Sequence, residues 1–289
     1  MGEGGIAPVV TLDMPSLIAL FFVVLIGLPH GAFDGAVAGY LGAGRSAKSF
    51  LGFCLGYCLL AAVVVLLWVQ FPATLLVMFL LMSALHFGWG DANSTSRVGF
   101  AVQVTIHGAL PVFVISVLHE DEVRSLFNLI SDGGAAPALF IARSICWLVI
   151  ALAPVYAVMA WRDPSMRRRF IEGLGLAALL ALLPPLVGFS LYFCLFHTAR
   201  HMKHIWHNLR TVMPMSHVYW QAAIFTLSSW GMGLLVFVWL DSGNVTADLM
   251  KVIFIGLAAL TVPHMILVDG WFRASERKNG HGKEVGSGT

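Results

Sequence analysis

"SFLGFCLGYCLLAAVVVLLWVQFPATLLVMFLLMSALHFGWGD", residues 49 to 91, contains no Asp, Glu, Lys or Arg between Ser49 and Gly90. A bilayer core about 30 Å thick takes roughly 20 apolar residues per helix, so this stretch is long enough to cross twice. Pro72 is the natural break, because proline inside a helix removes a backbone hydrogen bond and clashes with the preceding turn. Spans are therefore expected at 50 to 70 and 73 to 92.

The rest of the chain has the same character. It is 58% hydrophobic and 11% charged, against a charged fraction of about 25% in soluble proteins. An all-α, polytopic transmembrane helix bundle is expected, with further spans near 14 to 40, 98 to 118, 138 to 160, 168 to 183, 186 to 208, 218 to 240 and 249 to 270. That makes about nine, or eight if the chain runs straight through at Pro72 or at Pro184 and Pro185. With nine, Arg45, Lys48, Arg97, Arg162, Arg167, Arg168, Arg169, Lys203, Arg210 and the Arg273 to Lys283 tail fall on one side. Glu3, Asp13, Glu120, Asp121, Glu122, Asp132, Asp241 and Asp248 fall on the other. Cytoplasmic loops hold the Lys and Arg excess, so the N-terminus is expected outside and the C-terminus in the cytoplasm.

Residues 1–270 are read as one integral-membrane catalytic domain and 271–289, rich in glycine, as a flexible cytoplasmic tail. The first thirteen residues carry Glu3 and Asp13 but no basic residue, unlike a cleavable signal peptide. Cys54, Cys58, Cys146 and Cys194 lie in apolar segments and form no CxxC pair, which argues against a disulfide framework or a zinc ribbon. A net charge of +2 gives no reason to expect a nucleic-acid partner.

Ionisable side chains inside spans are costly and mark functional sites. Here they are mostly histidines. Measured from the outer end at about 1.5 Å per residue, His30 lies roughly 24 Å down its span, His86 roughly 20 Å, His197 and His201 roughly 17 and 22 Å, and His264 roughly 22 Å. Four helices thus bring imidazoles to one layer in the cytoplasmic half. His197 and His201, four apart, share a helix face and can reach one ion. His201 with His204 is the other pairing, although His204 and His207 approach the interface, where a basic helix end reaches toward anionic headgroups.

"GLPHGAFDGAVAGY" (27 to 40) and "ALHFGWGDAN" (84 to 93) both set a histidine beside glycines and a nearby Asp. Gly31, Gly35, Gly88 and Gly90 permit close helix approach. Asp34 and Asp91 suit a carboxylate that holds an imidazole from behind by accepting its free N–H, and pairing with Arg200 or Lys203 is the equal alternative. His264 follows Pro263 and is placed behind the ligands as a donor and packing residue. His107 reads as a hydrogen-bonded structural histidine.

A cluster of neutral imidazoles suits Fe, Cu, Zn or Ni and disfavours Mg and Ca. Four on an octahedral Fe(II) would leave two positions open. Phe87, Trp89, Tyr192, Phe193, Phe196 and Trp206 flank the layer and are candidate contacts for a long apolar substrate entering from membrane lipid.

"LPHGAFD", "LHFGWGD", "FHTARHMKH" and "VPHMILVD", in this order over residues 27 to 270, resemble the Brp/Blh family of membrane beta-carotene 15,15′-dioxygenases. The resemblance implies that His30, His86, His197 and His201 are the catalytic iron ligands. It also implies Fe(II) as cofactor, beta-carotene and dioxygen as substrates, and two molecules of all-trans-retinal as product, with a microbial rhodopsin as the usual retinal acceptor. Competing readings are a membrane di-iron hydroxylase or desaturase, which needs about twice as many clustered histidines, a haem-binding electron carrier, and a proton-coupled transporter.

Overall fold

The computed structural model describes residues 12–210, 213–240 and 242–272, apart from the side chains of Leu28, His30, Trp271 and Phe272. Glu3, Asp241, His281 and the tail from 273 lie outside the described residues. Every element among the described residues is helical, as expected. Seven helices are long and apolar enough to cross a membrane: α1 (Met14–Tyr40), α2 (Ala47–Gln70), α3 (Pro72–Asp91), α4 (Arg97–Leu118), α6 (Ala135–Arg162), α10 (Met215–Leu240) and α11 (Val245–Gly270). Two more expected segments are helical but more polar. These are α7 (Pro164–Leu182), which carries Arg167, Arg168, Arg169 and Glu172, and the pair α8 (Pro185–Leu191) and α9 (Ala199–Leu209), joined by a π-helical turn at Tyr192–Thr198. The chain breaks at both proline junctions: Phe71 leaves the helical region before Pro72, and Leu183 is extended before Pro184.

Capping follows the sequence. Asp13, Ser46, Ser96, Asp163 and Asn244 each accept a backbone N–H from the first turn of the helix that follows. Burial is distributed as a bilayer requires. The most apolar part of α4 is 72% buried, whereas that of α2 is 6% buried and that of α10 has no buried residue. Leu55, Leu59, Leu66, Leu234, Leu235 and Trp239 are all exposed, a continuous apolar exterior that is stable only against lipid.

The α3/α4 crossing is the tightest contact. A Cβ on Gly88 would fall 2.1 Å from the carbonyl oxygen of Val104, and one on Gly108 would fall 1.9 Å from that of Ala84. Each glycine therefore receives the backbone of the other helix, the close approach that small residues allow between membrane helices. Gly35 instead makes room for the ring of Phe225, 2.5 Å from a notional Cβ.

Between α4 and α6 the sequence suggests only a loop, but the chain forms α5 (Glu120–Ile130). Val123, Leu126 and Ile130 lie on one buried face at helical spacing. Trp68 donates its indole N–H to Ile130 O at 2.9 Å, Glu120 pairs with Arg124 and Arg143, and Lys251 pairs with Asp132 at 2.7 Å. Gly133, at φ +90°, ends this segment in the left-handed region, where glycine carries no steric cost.

Candidate metal centre

Among the described residues four π-helical turns interrupt the helices, at Val23–Gly27, Leu110–Val114, Tyr192–Thr198 and Ile266–Phe272. Such turns are rare and concentrate at functional sites, because the inserted residue rotates everything after it. Three of the four lie within or beside the histidine motifs.

His86 on α3 is 2% exposed, and its Nδ1 lies 2.7 Å from Oδ2 of Asp269, a residue of the last π turn. His264 on α11 is equally buried, with its Nδ1 2.8 Å from Oδ1 of Asp34. Asp34 is itself fully buried on α1 and accepts a 2.8 Å hydrogen bond from the Tyr57 hydroxyl on its other oxygen. A carboxylate accepts only, so both imidazoles carry their proton on Nδ1 and turn a lone pair on Nε2 to the opposite side. The Nε2 atoms of His86, His197, His201 and His264 are all closed off from solvent.

One ligand atom each from His86, His201 and His264 lies within 4.8 Å of the other two, among the described residues. Three nitrogens each about 2.1 Å from one ion would stand at most about 3.6 Å from one another, so each would need to move by less than about 1 Å to seat an ion. Three neutral nitrogen donors in a dry pocket, two of them oriented by carboxylates, fit a transition metal such as iron.

The expected residues are distributed as follows. His197 lies in the π turn, its ring 4.9 Å from that of His86 and stacked on that of His201 at 5.9 Å. The side chain of His30 lies outside the described residues, but a Cβ on neighbouring Gly31 would stand 3.9 Å from Nδ1 of His264. His264, read in sequence as standing behind the ligands, is one of the three imidazoles whose ligand atoms lie within 4.8 Å of one another. Asp34 supports His264. Asp91 accepts from Arg200 at 2.6 Å and from the Tyr192 hydroxyl at 3.0 Å, which is the alternative pairing considered for it. Arg200 also reaches Glu172 on α7 at 3.0 Å and precedes His201, so this network fixes the helix that carries the third imidazole. Asp269 stands in the "VPHMILVD" motif, and its pairing with His86 was not read from the sequence. His204 and His207 are exposed, and His107 bonds the Tyr156 hydroxyl at 3.0 Å.

An apolar cavity with His86 in its wall lies between α3, α4, α5, α8 and α11. Phe87 and Phe193, two of the candidate substrate contacts, line it together with Phe79, Phe127, Phe189 and Phe254. Tyr192 is buried against Asp91, whereas Trp89, Phe196 and Trp206 are 38 to 41% exposed on the outer face.

Fold and site together describe a multi-pass membrane protein with a buried, carboxylate-backed histidine centre beside an apolar cavity that His86 lines. The family model described as beta-carotene 15,15′-dioxygenase matches residues 21–272, and the chain belongs to that family. It is 34% identical over 260 residues to the beta-carotene 15,15′-dioxygenase of an uncultured marine bacterium, 66A03, covering 88% of this chain and 93% of the relative. It is 24% identical over 283 residues to the probable beta-carotene 15,15′-dioxygenase Blh of Halobacterium salinarum, covering 85% and 81%. No solved structure matches.

Proposed function

We propose that the chain binds iron(II) at the histidine centre and cleaves the central 15,15′ double bond of beta-carotene with dioxygen to give two molecules of all-trans-retinal. The observation that carries this reading is the set of three mutually close imidazoles, one of which, His86, lines an apolar cavity. The substrate comes from the names of the two relatives. His86, His201 and His264 would hold the metal, with His197 and His30 the next imidazoles to complete the set. Bound there, iron(II) supplies the redox chemistry that dioxygen needs to react with a polyene.

The chain's own residues do the rest. Asp269 and Asp34 keep a proton on each Nδ1, so Nε2 is the nitrogen that each ring would turn to a metal. Phe87 and Phe193 form the wall beside His86 and His197, where ring centroids lie 4.6 to 6.1 Å apart, and exclude water. Holding the polyene so that only its central bond reaches the centre selects the bond that breaks. The charge distribution supports nine crossings of a prokaryotic plasma membrane with the C-terminus in the cytoplasm, residues 1–270 forming the catalytic domain. Retinal released into lipid would be available to a microbial rhodopsin.

The test is anaerobic purification in detergent, iron analysis, and chromatography of products after aerobic addition of beta-carotene. One iron per chain, with retinal from wild type and none from His86→Ala, is the expected result. Two irons per chain would instead favour the di-iron hydroxylase, and retinal made equally well by His86→Ala would overturn the assignment.

A further inference from the structure

The lining of the apolar cavity gives its direction. On α3 the lining residues run from Leu76 to His86 and on α11 from Met250 to Thr261, both at helical spacing. Ten residues at about 1.5 Å each place Leu76 roughly 15 Å from the level of His86. Helix α5 stands at the Leu76 end. It begins directly after His119, whose Nε2 lies 2.8 Å from Leu180 O near the end of α7. At its other end Ile130 O accepts from Trp68 near the end of α2, and a Cβ on Gly134 would fall 2.7 Å from that of Ala73 at the start of α3. Helix α5 thus lies across the ends of α2, α3 and α7 on the side away from the histidines, and its Val123, Leu126, Phe127 and Ile130 line the cavity. Leu126 and Ile130 are buried in one packed cluster with Leu76 and Met250, and none of the four carries a charge or a hydroxyl. The helix is also tied down, by Glu120 to Arg143 on α6 and by the neighbouring Asp132 to Lys251 on α11.

We infer that α5 is an end stop for the substrate: one terminal ring of the polyene rests against Leu126 and Ile130, which set the length of half-molecule that the cavity takes. The inference rests on the central-cleavage reading above. A ring-ended rod held with its middle at the histidines carries one ring along the helices toward α5. A fixed apolar wall there admits the ring and stops it, so the wall limits how far the rod slides in. A substrate whose inserted half is shorter does not reach the wall.

Thickening the wall tests this without touching the imidazoles. Leu126→Phe and Ile130→Phe are made separately in full-length protein. Each is assayed with beta-carotene and with an apocarotenal that keeps one ring and the central double bond but is shortened at the other end. The apocarotenal can insert its short half and stay clear of the wall. Changing a hydrophobic pocket by a methylene or more is worth about tenfold or more in discrimination. At least one variant, with wild-type iron content, is expected to lose roughly tenfold in kcat/KM for beta-carotene and under about twofold for the apocarotenal. The affinities of iron-free protein for the two compounds, read from carotenoid absorption retained after gel filtration, are expected to follow the same pattern. Equal losses on both compounds, or no loss on either, would overturn the end stop. So would failure of both variants to fold with iron, since a cavity that reaches the wall has room for the added carbons. If wild type never cleaves beta-carotene, the functional reading fails, and the binding pattern decides the end stop by itself.

Discussion

The two motifs that look alike, "PHGAFD" on α1 and "HFGWGD" on α3, do different work. Asp34 of the first holds an imidazole, that of His264, while Asp91 of the second holds the guanidinium of Arg200. Both carboxylates thus reach to distant parts of the chain, and His86 is held in turn by Asp269 from α11. The glycines differ as well. Gly88 lies against a backbone carbonyl, whereas Gly31 has only ordinary contacts. A shared pattern of His, Gly and Asp marks depth and packing density but does not choose partners.

The largest effect that would separate the motifs is steric. Gly88→Ala forces a Cβ onto Val104 O, which cannot swing aside as a side chain could, and is expected to cost about 3 kcal/mol or more. Gly31→Ala is expected to be tolerated. Thermal unfolding of the two variants in detergent compares them, and equal melting temperatures would mean that the α3/α4 crossing is looser than described.

Next come the carboxylates. Removing a group that orients a metal-bound histidine typically costs about 10 to 100-fold in metal affinity, and this is expected for both Asp269→Asn and Asp34→Asn. Iron content after dialysis against a graded chelator reads it directly. Asp91→Asn should behave otherwise, with iron retention close to wild type and stability lower by about 2 kcal/mol, because Arg200 keeps Glu172 but loses its more buried partner. If Asp91→Asn released iron as readily as Asp269→Asn, the division of labour between the motifs would fail.

The smallest effect is expected at the outer face. Trp206 is 38% exposed and lies against Tyr219, and Trp206→Phe should change stability by no more than about 0.5 kcal/mol and leave kcat/KM within about twofold. A larger drop in cleavage would place substrate on that face, as the sequence alone suggested for Trp89, Phe196 and Trp206.

Much of the centre is legible in the amino-acid sequence itself. Rise per residue along a helix is constant, so counting from the membrane edge places His86, His197, His201 and His264 in one layer. Their spacing along one helix is less reliable, because the π turn at Tyr192–Thr198 changes which residues share a face. The same effect hides Asp269, whose π turn rotates it toward His86. Helix α5 escapes a sequence reading for a different reason: with three acidic residues in its first turn it looks like a polar loop, and only Val123, Leu126 and Ile130 at helical spacing betray its buried face.

Hydropathy, helical periodicity and charge bias are properties of neighbouring residues, and by themselves they determined a membrane-embedded helical bundle with a histidine layer. Tertiary structure alone decided which carboxylate holds which imidazole, because those partners are 183 and 230 residues apart and no local preference couples them. It also decided that an apolar cavity lies beside His86, since a cavity is the space left when helices from distant parts of the chain pack together, and no single segment encodes it.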